Sequence, residues 1–171
     1  MISNIFLISR SILFWINIVF SVLIFGPVTF LVGIISYDTC LYLSKKWCRY
    51  NLFFLKYVCL LSYNFDNDEI KTSKIIISRH QSTWETFFFT AYIDYPIFIL
   101  KKELLMIPLF GWCLYLLKHI SIDRSDGTSS LKKIMKSCDE HIKENRTIII
   151  FPEGTRSLYG TKAKLKRGVF K

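Results

Sequence analysis

Apolar and polar positions divide this chain into two regimes. From Ser11 to Ser36 the run SILFWINIVFSVLIFGPVTFLVGIIS holds no charged residue over 26 positions. At about 1.5 Å per residue a helix of that length covers about 39 Å, more than the ~30 Å hydrocarbon core of a bilayer. It is long enough to cross once with tilt. Gly26-Pro27 lies past its middle and is a natural breakpoint, at which the same residues would form a two-helix hairpin dipping into one leaflet. The run is too long for a cleaved signal peptide, only Arg10 precedes it as a basic preface, and no small-x-small site follows, so a retained anchor is expected. Behind it Lys45, Lys46, Arg49 and Lys56 are threaded through Trp47, Tyr50, Phe53, Phe54 and Tyr57. That mixture suits an interfacial segment on the cytoplasmic face, and equally a core helix with a solvated basic edge.

Beyond the polar patch Asn64–Glu69 the periodicity changes. Lys74-Ile-Ile-Ile-Ser-Arg79 is a β-branched run that predicts a buried strand. A helix follows from Ser82 to about Ile93, then a strand over Pro96–Leu100, then an apolar helix over Glu103–Lys118 with Pro108 and Gly111 as interruptions. His119–Asp123 reads as a third strand. Asp126 or Thr128 can cap a helix running to about Glu144, with Leu131, Ile134, Met135, Cys138 and Ile142 at helical spacing. Thr147–Phe151 is a fourth strand. Strands alternating with helices predict an α/β fold, a mainly parallel sheet covered by helices, with the amino-terminal apolar anchor attached as one span or a hairpin. The division is residues 1–63 as anchor and interfacial segment, 64–73 as linker, and 74–171 as a globular domain. In such sheets ligands gather at the carboxyl ends of the strands. The densest polar clusters, RHQSTWE and PEGTRS, each follow a predicted strand directly.

Composition sharpens this picture. The 51% apolar and 16% aromatic content is rich for a freely soluble protein of 171 residues. The net charge of +10 sits almost wholly beyond residue 70, where 18 Lys/Arg face nine Asp/Glu; residues 1–70 carry five against four. The domain should therefore attract anions, whether a phosphorylated substrate or an anionic membrane surface. No zinc-finger spacing, basic heptad region or other nucleic-acid signature accompanies the charge, so nucleic acid is not expected as a partner. Cys40, Cys48, Cys59, Cys113 and Cys138 are odd in number and never paired as C-x-x-C, which indicates neither a disulfide framework nor a zinc site. Cys113 lies in an apolar run and Cys138 on a charged helix, settings unlike the electropositive, exposed one that a nucleophilic thiol needs.

Two clusters carry candidate chemistry. In His80-Gln-Ser-Thr-Trp-Glu85 a histidine at a strand end can act as general base if a carboxylate fixes its tautomer. On one helix the two would stand about 140° apart. They can meet only with His80 in the loop and Glu85 in the first helical turn. The same residues also read as an S-x-x-E capping box, with Glu85 on the Ser82 amide and His80 an ordinary loop histidine. Phe151-Pro-Glu-Gly-Thr-Arg-Ser157 offers a tight glycine turn, backbone amides, a hydroxyl and a guanidinium suited to a phosphate, or else a solvated turn.

HQSTWE followed by FPEGTRS about 70 residues later resembles the lysophosphatidic acid acyltransferase family, glycerolipid acyltransferases with an H-x4-D and an E-G-T-R motif. Lys101-Lys-Glu-Leu-Leu, Pro108-Leu-Phe-Gly111-Trp and Ile122-Asp-Arg124 resemble that family's middle motif, and the matches cover about residues 74–171. The resemblance implies that His80 is the general base on the acceptor hydroxyl and Glu85 its orienting carboxylate. It implies that Arg124, Glu153, Gly154, Thr155 and Arg156 bind the glycerol phosphate. It also implies direct attack on an acyl-CoA or acyl-carrier-protein thioester, with no metal, no cofactor and no acyl-enzyme. The expected acceptor is lysophosphatidic acid and the product phosphatidic acid, made at the cytoplasmic membrane with the catalytic domain on the cytoplasmic side. Glycerol-3-phosphate or another lysolipid as acceptor remains open, as does a non-catalytic lipid-binding remnant. The sequence departs from the pattern in having Glu85 for Asp, and Lys171 stands close behind the second motif where the family continues through further strands, so the domain's carboxyl-terminal part is expected to be missing.

Overall fold

A computed structural model describes residues 2–64, 69–123, 127–158, 160 and 165. In chain order its elements are α1 (Ile2–Ile35), α2 (Tyr37–Tyr57), α3 (Glu69–Thr72), β1 (Ile75–Ile77), α4 (Trp84–Tyr92), β2 (Pro96–Lys101), a 3-10 turn (Lys102–Met106), α5 (Phe110–Leu116), β3 (Ile120–Ile122), α6 (Gly127–Lys143) and β4 (Thr147–Ile150).

Of the single span and the hairpin broken at Gly26-Pro27, the structure shows the unbroken helix, because α1 runs through Pro27. An internal proline costs a helix ~3 kcal/mol. Packing along the same stretch offsets it, with Leu109 seated against Gly26 and Leu116 against Gly33. The chain reverses instead at Ser36, an extended residue whose Oγ accepts from the Thr39 N–H at 3.2 Å and caps α2. The two helices then lie antiparallel. Phe14 meets Phe54, Trp47 Nε1 donates to Ser21 Oγ at 2.9 Å, and Asn17 Nδ2 donates to Asn51 Oδ1 at 3.0 Å. Asn51 is wholly buried and also donates to the Trp47 carbonyl, so its amide is satisfied inside the hairpin.

Over Ile5–Ile35 α1 is long and apolar enough to cross a membrane. Phe6, Trp15, Phe20, Ile24 and Leu31 stand exposed along it. The basic residues of α2 are only partly free for headgroups. Lys45 pairs with Asp94 at 3.6 Å and Arg49 donates to the Ala91 carbonyl at 3.1 Å, which ties α2 to the end of α4 and the turn behind it. Lys46 and Lys56 lie over the rings of Tyr42 and Tyr57.

Among the described residues the strands form one parallel sheet in the order β1-β4-β2-β3. Side chains alternate between its faces. Ile97, Ile120 and Ile148 meet Ile134, Cys138 and Ile142 of α6, whereas Ile76, Phe98 and Ile149 meet Phe88 and Phe89 of α4. Both faces are covered over β2 and β4, which is why those strands read as continuous apolar runs. In contrast β1, expected as a buried strand, lies at the sheet edge and buries only Ile76, leaving Ile75 and Ile77 exposed. Met135, expected on the apolar face of α6, is exposed. Asp126 and the Thr128 side chain lie outside what the structure describes.

The helix expected over Glu103–Lys118 resolves into the 3-10 turn and α5, separated at Pro108, with Leu109 at φ 62°. Gly111 makes this junction possible, because a Cβ there would lie 2.5 Å from the backbone oxygens of both Leu104 and Leu105. Gly111→Ala should therefore destabilise the protein by about 1–3 kcal/mol, against the stabilisation that Ala gives at an ordinary helix position. A lowered thermal midpoint in detergent checks this.

Candidate active site

Parallel strands bring all their carboxyl ends to one rim, and the pairing of β1 with β4 makes the loops that follow them neighbours despite their distance in sequence. The ladder continues one step past β1, where the Ser78 N–H donates to the Ile150 carbonyl at 3.0 Å. His80 then lies in the loop, and Glu85 is the second residue of α4. Their side chains meet, with His80 Nδ1 at 3.6 Å from Glu85 Oε2, both largely shielded from solvent. Since Nδ1 faces the carboxylate, Nε2 is the ring nitrogen left for a substrate.

Glu85 also performs the capping role. Its oxygens accept from the amides of Gln81 and Ser82 at 3.0–3.2 Å and from Ser82 Oγ at 3.2 Å, while Ser82 Oγ accepts from the Trp84 N–H at 3.0 Å. Burial works to raise the Glu85 pKa, but the His80 contact and the local amides outweigh it and hold the carboxyl below its ordinary value. The two readings of this carboxylate are thus one arrangement, in which the capping bonds fix the anion that faces the imidazole.

The loop after β4 supplies the rest. Phe151 stacks under the His80 ring, centroids 4.3 Å apart and planes 21° off parallel. The Gly154 N–H returns to the Phe151 carbonyl at 3.0 Å, closing a turn that needs Gly154 at φ 65°. Thr155 and Arg156, which follow that turn, are exposed. Glu153 behaves differently from its motif neighbours. It is 3% exposed, its Oε2 accepts from the His80 N–H at 3.3 Å, and its Oε1 lies 3.6 Å from Arg79 Nε. The Ser157 N–H donates to the His80 carbonyl at 2.8 Å. Arg124 lies outside the described residues; beside it, Asp123 pairs with Lys102 at 3.5 Å.

Sequence reasoning missed Phe151 and Ser157 as neighbours of His80. Only the β1–β4 pairing brings them there, and no local pattern announces which parallel strands are adjacent. Among the described residues no cluster of three or more His, Cys, Asp or Glu is placed to hold a metal. Burial pushes the Cys113 thiol up to about 12, and Cys138 is raised for the same cause. Neither is poised to be a thiolate.

A family model described as acyltransferase matches residues 62–171. The chain is 37% identical over 163 residues to the 1-acyl-sn-glycerol-3-phosphate acyltransferase of Pseudomonas aeruginosa, covering 93% of this chain and 63% of that protein. It is 40% identical over 91 residues to the enzyme of the same name from Helicobacter pylori, covering 53% of this chain and 38% of the other. The chain thus spans less than two thirds of the length of these relatives. The fold is similar to the crystal structure of the 1-acyl-sn-glycerophosphate acyltransferase of Thermotoga maritima, with a TM-score of 0.74 at 20% identity, covering 96% of this chain and 67% of that one.

Proposed function

This chain belongs to the acyltransferase family, and from that premise we propose that it moves a fatty acyl group from a thioester onto the free hydroxyl of lysophosphatidic acid, giving phosphatidic acid. The observation that carries this reading is the meeting of the His80–Glu85 pair with the Phe151–Ser157 loop on one rim. His80 Nε2 takes the proton of the acceptor hydroxyl as that oxygen attacks the thioester carbonyl. The tetrahedral adduct then expels the thiolate, which takes the proton back from the imidazolium. Glu85 keeps the other proton on Nδ1 and stabilises the cation while it lasts. A thioester is reactive enough that an activated alcohol held close to it suffices, so the reading calls for no cofactor and no acyl-enzyme.

The acceptor phosphate belongs to Arg156, Thr155 and the Gly154 turn, with Arg124 contributing from beyond β3. A guanidinium binds phosphate bidentately. Arg156→Ala should therefore raise KM for lysophosphatidic acid by about 10- to 100-fold with a smaller change in kcat, the size expected for lost charged hydrogen bonds. The reading places the exposed apolar side of α1 in the bilayer and the rim on the cytoplasmic side. An apolar hollow of about 460 Å³ lined by Phe30, Leu105, Trp112 and Tyr115, where α1 meets α5, suits a hydrocarbon chain. Donor thioesters of coenzyme A and of acyl-carrier protein are both compatible with this chemistry.

The test is product formation. Purified protein in mixed micelles, given radiolabelled acyl-CoA or acyl-carrier protein with lysophosphatidic acid, should yield labelled phosphatidic acid. Salt-sensitive liposome binding with no phosphatidic acid from either donor would contradict the proposal and favour a lipid-binding protein.

A further inference from the structure

We propose that Glu153 is a positioning residue for His80, its buried carboxylate and the Ser157 amide clamping the main chain of the base from both sides. The inference rests on the reading of His80 as general base. Beyond Ser78 the β1–β4 ladder ends, and the His80 N–H and C=O have no strand partner to receive them. Glu153 Oε2 accepts the N–H at 3.3 Å and the Ser157 N–H donates to the C=O at 2.8 Å, with Ser157 Oγ at 3.4 Å from the same oxygen. Phe151, two residues before Glu153, carries the ring. One short loop therefore holds the amide, the carbonyl and the imidazole face of the same residue, while Glu85 Oε2 lies 3.6 Å from Nδ1.

The chemistry of Glu153 argues against a place on the phosphate. An ionised carboxylate repels a phosphate, and at 3% exposure Glu153 has little surface to offer a ligand. A buried anion needs donors and a counter-charge. The His80 amide supplies the first and Arg79 Nε, 3.6 Å from Oε1, the second. The E-G-T-R run thus divides at Gly154: the residues after it face solvent, and the one before it faces the base.

This division separates the variants. Glu153→Ala removes the acceptor from the His80 amide, whereas Glu153→Gln keeps a carbonyl oxygen in its place and removes only the charge. A small displacement of a base costs rate rather than binding, so Glu153→Ala should lower kcat by ~100-fold. KM for lysophosphatidic acid should stay within ~3-fold, since uniform binding is untouched. Glu153→Gln should recover kcat to within ~10-fold of the wild type, because the displacement is largely undone.

The second readout is amide hydrogen exchange at His80, followed by NMR in detergent micelles without substrate. The His80 amide should be protected in the wild type and in Glu153→Gln and exchange faster in Glu153→Ala. A raised KM with kcat preserved, or a His80 amide equally protected in Glu153→Ala, would overturn the proposal. If Glu153→Ala does not fold, Glu153→Gln decides alone, and a raised KM or loss of His80 protection in that variant overturns it. If the wild type transfers no acyl group, the proposed function fails, and hydrogen exchange still decides the clamp.

Discussion

Replacing His80 with Ala is expected to lower kcat/KM for acyl transfer by about 10²- to 10⁴-fold, the range that a well-placed general base contributes. The acceptor is an ordinary alcohol, nearly unionised at neutral pH, so without a base the nucleophile is scarcely present. The structure gives His80 the means to supply it. Glu85 is held below its ordinary pKa and stands 3.6 Å from Nδ1, so it is ionised at neutral pH and favours the tautomer that leaves Nε2 free to accept a proton. Phe151 fixes the plane of the ring. His80→Ala removes a partly shielded side chain at a loop, whose contact with the apolar clusters runs only through Phe151, so far-ultraviolet circular dichroism should match the wild type. Turnover within threefold of the wild type would remove the imidazole from the mechanism.

The second large effect concerns acid stability and arises at the opposite end of the sheet. His119 precedes β3 and is half-buried, and its Nδ1 accepts the Phe98 N–H at 3.3 Å. Burial first, then the neighbouring charges of His141 and Arg146, push its pKa down to about 3. The unfolded chain takes up this proton near the ordinary histidine value of about 6.5, whereas the folded protein resists it until about pH 3. Between these limits the unfolded state binds more protons, so stability falls as the pH falls. The contribution is fully present above about pH 6.5 and amounts to at most about 5 kcal/mol across the window. His141, also lowered by burial, steepens the same limb. In His119→Asn the Oδ1 atom takes the place of Nδ1 towards the Phe98 amide, and nothing titrates. Unfolding free energy measured from pH 7 to pH 4 should then decline clearly less than in the wild type, and parallel curves would show that His119 does not carry the effect.

These two histidines mark where sequence reasoning reached and where it stopped. The His80–Glu85 contact was legible because it depends on a local feature, a strand end followed within five residues by a carboxylate in a helical first turn. His119, the first residue of a predicted strand, is instead a half-buried group that accepts the Phe98 N–H, and only packing from β2 and α6 reveals that. Strands such as Pro96–Lys101 and Thr147–Ile150 were readable because burial on both faces demands unbroken apolar runs. The order β1-β4-β2-β3 was not, since parallel pairing is decided by contacts between segments far apart in the chain. That order places Glu153 against the His80 amide, where motif matching alone groups it with the phosphate ligands. Pro27 left the sequence undecided between one helix and two, because tertiary packing at Gly26 and Gly33 overrides the local helix-breaking rule, while the reversal comes from a serine cap at Ser36. Met135 misled because the face of α6 is narrower than the apolar spacing suggested.

The central claim is direct transfer, with the hydroxyl of the phosphorylated acceptor activated at His80 and no acyl group resting on the protein. Rapid mixing of the wild-type protein with acyl thioester, with free thiol recorded in the presence and absence of lysophosphatidic acid, tests it most directly. Thiol should be released only with acceptor, one thiol for each phosphatidic acid formed. A burst of thiol stoichiometric with protein before any acceptor is added would contradict it.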